Sequence, residues 1–411
     1  MRSFLPLIRE EWRLLLFGFA MTFGSSLGQT YFIGLFSGEI RADLNLSHGE
    51  FGGLYSGATL ASALLLLWSG SLIDRMDLRN YAFLVTLGLA LGCALMAVST
   101  GPLLLFFALL ALRHFGQGLM SIAGATTMVR YLDHHKGKAN ALGGMGYSLS
   151  EATLPSLVIA SIVILDWRQS WVVWGAALAI TLPALAHLLL KDHTSRHLRY
   201  LRDLQSNNGT GVVSSRRQWT RSEVIGDLNF YLFLPVLLAQ PLLFTGFMFH
   251  QVQLVQEKNW SLAAWGGLFL FYALLNTLCK LLAGLLVDRY SAIRLAPLIC
   301  LPMGVGLIVL ASEDHFFGAI IYMGLLAVSV GVYSTLSSPF FSEMYGTLHL
   351  GSIKSLTTAA MVFATAIAPV AMGWLVDRGV SMDTMALGGA GYTVIASALA
   401  FYALYRRGRS D

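Results

Sequence analysis

Long apolar stretches alternate with short polar segments along the whole chain. The apolar stretches recur about every 30 to 40 residues, and most reach the roughly 20 residues that a helix needs to cross a bilayer. Twelve such stretches predict an all-α polytopic membrane protein with twelve transmembrane helices. The predicted spans are residues 14–38, 51–73, 81–99, 102–127, 139–165, 170–190, 229–254, 262–287, 293–311, 315–340, 353–376 and 384–405.

One polar motif occurs twice, each time at the end of an apolar stretch. Residues 70–75 read Gly-Ser-Leu-Ile-Asp-Arg, and residues 284–289, which lie 214 positions later, read Gly-Leu-Leu-Val-Asp-Arg. The same offset relates Pro155 to Pro369. We therefore predict two pseudo-symmetric six-helix bundles. The predicted division is an N-terminal bundle at 1–190, a linker at 191–228 and a C-terminal bundle at 229–411.

The composition supports a membrane protein. Apolar residues make up 56% of the 411 residues and charged residues only 12%, whereas charged residues are about a quarter of a soluble protein. The mean hydropathy is +0.65. The lipid bilayer is thus the expected surrounding of most of the chain.

The basic residues indicate the orientation of the chain. If both termini are cytoplasmic, 21 Lys and Arg residues lie on the inner side and four on the outer side, namely Arg41, Arg168, Lys258 and Arg378. This asymmetry follows the positive-inside rule, so the net charge of +5 needs no nucleic-acid partner. The expected location is the inner membrane of a bacterium, with both termini and the basic linker in the cytoplasm.

The two halves, the basic linker and the repeated Gly-x-x-x-Asp-Arg loop resemble the major facilitator superfamily of secondary transporters. Further matches are Arg-His-Phe-Gly-Gln-Gly at 113–118 and Trp-Arg at 167–168. The resemblance covers essentially the whole chain and implies the major facilitator fold. One departure is that the family loop usually has a second glycine where this chain has Asp77 and Ser291.

The repeated loops are the predicted gating elements. Small residues such as Gly70 and Gly284 allow helix backbones to approach closely. The acidic residue of each loop lies at a helix end that disfavours negative charge, so it needs a partner elsewhere. The resemblance implies that the partner is present only when the cytoplasmic side is closed. The gating residues are Gly70, Asp74, Arg75, Gly284, Asp288 and Arg289. The alternative is a simple interfacial turn.

Three charged residues lie inside predicted spans: Arg113, Glu151 and Lys280. A charge at mid-bilayer costs at least about 2.5 to 3.5 kcal/mol on insertion scales, and it is retained mainly where it faces a cavity or a partner. Arg113 and Glu151 lie at similar depths, so they form either a proton-coupling site or a static ion pair. An apolar environment favours the protonated carboxyl that proton coupling requires.

Lys280 is the predicted anion-binding residue. Asn276 lies four positions earlier and so on the same face of the helix. Snorkelling of the lysine to the inner surface is the alternative. The position of this cation resembles the monocarboxylate transporters and the oxalate:formate antiporters, in which a cation on the eighth span meets the substrate carboxylate. Those families more often use arginine there, and their acidic-glycine-aromatic box is absent from residues 10–13.

The predicted function is secondary transport of a small organic anion, with a monocarboxylate as the favoured class, by proton symport or anion exchange. The alternatives are proton-coupled efflux of lipophilic drugs and, from a different class, a transporter-like membrane sensor. Phosphate-loop, dinucleotide and His-Glu-x-x-His motifs are absent, so we expect no enzyme, no cofactor and no metal. Nothing in the sequence demands an oligomer. The predicted substrate-lining residues are Lys280, Asn276, Tyr31, Gln29, Tyr147, Tyr333 and His250.

Overall fold

The computed structural model describes residues 5–132, 136–191, 218–346 and 349–407. The regular secondary structure of these residues is helical. The chain divides into two compact units, one made of residues 1–45 and 57–213 and the other of residues 46–56 and 214–411. Most of the predicted linker, residues 192–217, lies outside the described residues.

Several helices of the first unit are short. A 3₁₀ turn, Ser25–Gly28, separates the first two helices, and a π-helical turn, Leu112–Met120, separates α7 from α8. The helices are α1 (Leu5–Gly24), α2 (Thr30–Gly34), α3 (Ser37–Leu44), α4 (His48–Ser69), α5 (Leu72–Arg75), α6 (Leu78–Ala97), α7 (Pro102–Ala111), α8 (Ser121–Tyr131), α9 (Lys136–Leu165) and α10 (Trp167–Leu189). The first residues of α4 belong to the second unit and the remainder to the first.

The second unit contains longer and more continuous helices. A 3₁₀ turn, Ala296–Leu298, is the exception and lies within the ninth predicted span. The helices are α11 (Arg221–Ile225), α12 (Leu228–Phe249), α13 (Gln251–Glu257), α14 (Leu262–Tyr290), α15 (Ala292–Leu295), α16 (Leu301–Ser312), α17 (Phe316–Tyr345), α18 (Leu350–Asp377) and α19 (Met382–Arg407).

Eleven stretches of helix in the described residues are long and apolar enough to cross a membrane, and they coincide with the second to twelfth predicted spans. Most of their ends lie within three residues of the predicted ends. The first span differs from the prediction. Its helix begins at Leu5 and ends at Gly24, ahead of the predicted end at residue 38, because the chain leaves helical geometry between Ser25 and Gln29.

Polar side chains cap the start of several spans. The carboxylates of Asp77, Asp166 and Asp227 accept hydrogen bonds from the backbone N–H groups of the first turn of α6, α10 and α12. Ser261 does the same for α14. These caps satisfy donors that a helix end leaves without partners and fix where each apolar helix starts.

Each unit has its own helical core. In the first unit α1 packs along α9, and α6 packs along α10. In the second unit α14 packs along α17, while α16 contacts both α17 and α19. Large apolar side chains that face lipid in this arrangement, such as Leu67 and Val163, are 72% and 81% exposed, which fits a bundle whose outer surface is surrounded by hydrocarbon.

Candidate functional site

The first span is broken in the middle of its apolar stretch. Ser25–Gly28 form a 3₁₀ turn, and Gln29 is extended, with φ −83° and ψ 152°, before helix resumes at Thr30. Serine hydroxyls compete with helical hydrogen bonds, as the bond from Ser25 Oγ to the Thr22 carbonyl illustrates. A break at this depth leaves backbone carbonyl groups that cannot bind water, so other parts of the protein must bind them.

Arg113 binds one of these carbonyl groups. It lies in the π-helical turn of the fourth span and is only 1% exposed. Its Nη1 donates to the Gly28 carbonyl at 2.9 Å, and its Nε donates to Thr59 Oγ1 at 3.1 Å. A π-helical turn widens the helix locally and is frequent at functional sites. The guanidinium thus fastens the broken first span to the second and fourth spans.

Two glycines allow the first and fourth spans to cross in close contact. A Cβ on Gly28 would lie 2.2 Å from the Leu112 carbonyl oxygen and 2.7 Å from the Gln117 backbone nitrogen. A Cβ on Gly116 would lie 2.9 Å from Gly28 Cα. Only hydrogen fits at either position, so the two backbones are in direct contact beside Arg113.

A buried hydroxyl cluster lies on the other side of the break. Ser26 Oγ and Ser150 Oγ are 2.5 Å apart, and Tyr31 donates to Ser150 Oγ at 3.4 Å. Tyr147, one turn before Glu151 on α9, belongs to the same cluster. Glu151 is half-buried and close enough to both tyrosines to interact with them electrostatically. Buried hydroxyls beside a carboxyl group can stabilise a proton or a polar solute.

The first unit therefore brings together most of the residues predicted in it. Tyr31, Tyr147 and Glu151 form one cluster, and Arg113 contacts the same break through Gly28. Gln29 is half-buried at the break itself, in the extended position between the 3₁₀ turn and α2.

In the second unit Lys280 and Asn276 lie one turn apart on α14. Lys280 is half-buried, and among the described residues no carboxylate forms an ion pair with it. Asn276 is 1% exposed, and its Oδ1 has no hydrogen-bond partner in the described part of the chain. Its Oδ1 lies against Gly331 of α17. Thr335 Oγ1 of α17 lies 3.3 Å from the Lys280 carbonyl and 3.2 Å from the Gly331 carbonyl, so its one hydrogen is shared between the two helices.

Tyr333 and His250 occupy different places within the second unit. Tyr333 lies on α17, and its hydroxyl contacts Met361 Sδ at 3.9 Å. His250 follows the end of α12 and is 3% exposed. Its Nε2 donates to the Pro369 carbonyl at 2.9 Å, because a carbonyl can only accept. His250 also lies 5.9 Å from the His48 ring, measured between centroids.

The predicted gating loops are described only in part. The side chains of Asp74, Arg75 and Asp288 lie outside the described residues. A Cβ on Gly284 would meet no described atom within 4 Å, and one on Gly70 would meet only the Leu66 carbonyl group and one side-chain atom. No described backbone atom of another helix lies close to either glycine, and the close approach of a neighbouring helix there stays a prediction.

Arg289 is exposed, and its guanidinium lies 5.2 Å from the centre of the Tyr290 ring. A residue that the sequence did not single out holds the backbone of the same loop. The Glu343 carboxylate accepts from Ser291 Oγ at 2.6 Å and from the backbone N–H groups of Ala292 and Ile293 at 3.1 and 3.3 Å. Ser291 has φ +74°, so this carboxylate stabilises a left-handed residue where the family usually has glycine.

Asp377 is a second such carboxylate. It ends α18 and accepts from the backbone N–H groups of His48 and Gly49, at 2.9 and 2.7 Å, where α4 begins. His48, Gly49 and Asp377 all lie in the second compact unit. The available sequence signal for Glu343 and Asp377 was a lone acidic residue at the end of an apolar span.

The described residues contain no group of three or more histidine, cysteine or acidic side chains suited to a metal ion. Cys93 and Cys300 are buried, Cys279 is half-buried, and all three are free thiols. The candidate chemistry is therefore that of the cationic, carboxyl and hydroxyl groups described above.

Comparisons with known proteins agree with this architecture. The family model of the Major Facilitator Superfamily matches residues 18–369. A search of curated proteins returned no match. The nucleoside transporter NupG superposes with a TM-score of 0.69 at 15% identity, over 96% of this chain and 98% of NupG. A bacterial homologue of the human lysosomal transporter Spinster, in an inward-facing and unoccupied conformation, gives 0.66 at 13% identity, over 95% of this chain and 96% of the homologue.

These identities show a shared fold and do not extend to the substrate. The family match at residues 18–369 includes the break in the first span, the π-helical turn and the Lys280 region. Together with the apolar spans, it establishes an integral membrane transport protein rather than an enzyme. The chain belongs to the Major Facilitator Superfamily.

Proposed function

We propose that this transporter moves a small organic anion across the membrane, with a monocarboxylate as the leading substrate class, by proton symport or anion exchange. The observation that carries the proposal is Lys280, a cation within the span Leu262–Val287 that lacks a carboxylate partner among the described residues. An unpaired charge in a span is retained mainly for a function. The position on the eighth span also resembles the monocarboxylate and oxalate:formate families.

Lys280 lies inside the span and not at its end. It is seven residues before Val287, which corresponds to about 10 Å along the helix axis. Asn276, with its unsatisfied amide oxygen one turn deeper, adds a polar group to the same helix face.

Glu151 is the proposed site of proton coupling. Its carboxyl lies near the hydroxyls of Tyr31 and Tyr147 within a largely buried cluster. Burial disfavours the ionised form of a carboxyl group, and surrounding hydroxyls can bind either protonation state. We propose that Arg113 keeps the broken first span in register while Glu151 gains and loses the proton.

The test is uptake by proteoliposomes that contain the native chain or a Lys280 variant. A panel of radiolabelled monocarboxylates and dicarboxylates is presented with an inward proton gradient, and separately with vesicles preloaded with unlabelled anion. We expect uptake of at least one monocarboxylate by the native chain. Lys280→Gln should abolish it, whereas the matched control Lys280→Arg, which keeps the charge, should retain a substantial part.

Native-like uptake by Lys280→Gln would refute the role of this lysine. If no carboxylate moves under either condition while lipophilic cations are expelled in exchange for protons, the drug-efflux alternative is supported instead.

A neutral, hydroxylated solute is the second candidate. The specific observation in its favour is the cluster of Ser26, Ser150, Tyr31 and Tyr147, since hydroxyl groups of this kind can bind sugar hydroxyls. NupG, which superposes over most of the chain, is a nucleoside transporter. Radiolabelled nucleosides therefore belong in the same panel, and their uptake without any dependence on Lys280 would favour this candidate.

A further inference from the structure

The first turn of α4 takes its hydrogen-bond acceptors from two sources. A capping box supplies one of them: Ser47 Oγ accepts from the Glu50 N–H at 3.1 Å, and the Glu50 carboxylate accepts from the Ser47 N–H at 2.8 Å. The N–H groups of His48 and Gly49 are left over, and both donate to the Asp377 carboxylate at the end of α18. The start of α4 is therefore complete only while α18 lies against it.

Backbone contacts continue this docking along both helices. A Cβ on Gly52 of α4 would lie 2.5 Å from the Pro369 carbonyl oxygen of α18. A Cβ on Gly373 of α18 would lie 2.9 Å from the Gly49 backbone nitrogen. The helices meet at these points through backbone atoms. Such a contact interlocks no side chains, so it can separate and form again without repacking them.

Asp377 lies between helix ends of opposite polarity. It is the last residue of α18, where the helix dipole disfavours a negative charge, and it faces the start of α4, where the dipole favours one. Asp377 is exposed, so water can replace either of its hydrogen bonds. The internal repeat has no copy of this group, because the position 214 residues earlier is Val163. The charge is thus favourable while the two helices are docked, and the equivalent helix of the first repeat is built without it.

The helix α4 belongs to both compact units. Residues 46–56 lie in the second unit together with α18, and the rest of the helix lies in the first unit. In transporters of this kind the substrate site opens to one side of the membrane at a time, largely by rocking of one bundle against the other. A helix that both bundles share must then either bend or release its docked end.

We propose that the docked start of α4 is a reversible latch, and that Asp377 is the positioning residue that keeps it closed. The latch consists of His48, Gly49 and Gly52 on α4 and Pro369, Gly373 and Asp377 on α18. Release leaves the carboxylate at the unfavourable end of its own helix, so the closed latch is favoured without being permanent. The orientation expected from the basic residues places it on the outer side. The inference rests on the transport class that the family match shows and not on the proposed substrate.

The experiment compares the two ends of α18 and needs no substrate. Residues 353 and 377 are about 36 Å apart along the helix axis. Amide hydrogen exchange of the full chain in lipid nanodiscs is followed by mass spectrometry. We expect Asp377→Asn to speed exchange at residues 48–52 about tenfold, because a neutral acceptor forms weaker hydrogen bonds than a carboxylate. Exchange at residues 353–357 should become slower, since release on one side accompanies closure of the other.

The conservative variant Asp377→Glu keeps the charge and should lie closer to the native chain than Asp377→Asn at both ends. If Asp377→Asn does not fold, Asp377→Ser, which also removes the charge and keeps a smaller acceptor, should change exchange in the same two directions.

A second measurement holds the latch closed. A Cβ on Gly49 would lie 2.7 Å from Asp377 Oδ2, so Gly49→Cys and Asp377→Cys together place two thiols within reach of a disulfide. Oxidation should stop any uptake that the double variant shows in the solute panel, and reduction should restore it. Asp377→Cys alone, treated with the same oxidant, is the matched control, because it carries the same three native cysteines.

Faster exchange at residues 48–52 of Asp377→Asn with an unchanged or faster far end would mean that Asp377 only caps the helix, and it overturns the inference. Unchanged exchange at residues 48–52 overturns it too, and so does uptake that persists after the disulfide has formed. If no solute of the panel is carried, the exchange comparison still decides. Failure of the proposed function is therefore distinguishable from failure of the latch.

Discussion

Replacing Gly28 by alanine tests the close crossing of the first and fourth spans. The new Cβ would lie 2.2 Å from the Leu112 carbonyl oxygen, whereas ordinary contacts begin near 3.4 Å. It would also lie 2.7 Å from the Gln117 nitrogen. Both of these are backbone atoms, so a side-chain rotation cannot relieve the clash. The φ angle of Gly28 is outside the left-handed region, and the cost is therefore one of contact and not of backbone strain.

The first span must move by more than 1 Å from the π-helical turn to accommodate the methyl group. Overpacking of this kind costs about 1 to 3 kcal/mol. The same movement lengthens the hydrogen bond from Arg113 to the Gly28 carbonyl, and hydrogen bonds to charged groups contribute about 1.5 to 3 kcal/mol. We expect Gly28→Ala to destabilise the protein by about 2.5 to 6 kcal/mol when both effects are taken together.

The assay is thermal unfolding in detergent at a fixed scan rate, followed by tryptophan fluorescence, because membrane proteins often unfold irreversibly. Gly144→Ala is the matched control: it lies within α9, and its Cβ would meet no described atom within 4 Å. Alanine in such a position should stabilise the helix by about 0.5 to 1 kcal/mol. Gly116→Ala should resemble Gly28→Ala. Equal unfolding temperatures for Gly28→Ala and Gly144→Ala would refute the close crossing.

Two further predictions concern charged groups outside the spans. Burial opposes the charge of Lys258, but its bonds to Asp314 at 2.7 Å and to Asp383 outweigh burial and raise its pKa, while Lys258 lowers the pKa of Asp314. Asp314→Asn should therefore lower the unfolding temperature at neutral pH, and the difference from the native chain should vanish as the pH falls through the depressed carboxyl range; a difference independent of pH would contradict this. Glu343→Ala should speed amide hydrogen exchange in residues 289–295, because the Ser291 hydroxyl and the backbone N–H groups of Ala292 and Ile293 lose their acceptor. Unchanged exchange would show that the carboxylate does not hold the loop.

Hydropathy was sufficient to predict the spans. Eleven of them follow from the length and apolar character of the helices alone, and polar caps such as Asp77 and Asp166 fix their starts. The internal repeat correctly pointed to the superfamily. These features depend on the local sequence and on the known thickness of a bilayer, so a single sequence is enough to predict them.

The break in the first span and its partners could not be predicted from the same signals. The run Gly-Ser-Ser-Leu-Gly-Gln at 24–29 weakens helix formation, but it is short, and the apolar stretch 14–38 around it still predicts one continuous span. The π-helical turn and the bond from Arg113 to Gly28 depend on which residues of distant spans meet. The packing partner of Gly70 and Gly284 could not be predicted for the same reason, because a glycine indicates that close approach is possible and does not identify the partner.

The most direct test of the proposed mechanism is proton movement coupled to substrate. Proteoliposomes that contain the native chain and a trapped pH-sensitive dye are exposed to a monocarboxylate without any imposed gradient. We expect the lumen to acidify as the anion enters with protons, and we expect this signal to disappear in both Glu151→Gln and Lys280→Gln. Entry of the radiolabelled monocarboxylate with no change in the luminal pH, and with no requirement for a counter-anion, would contradict the proposed coupling.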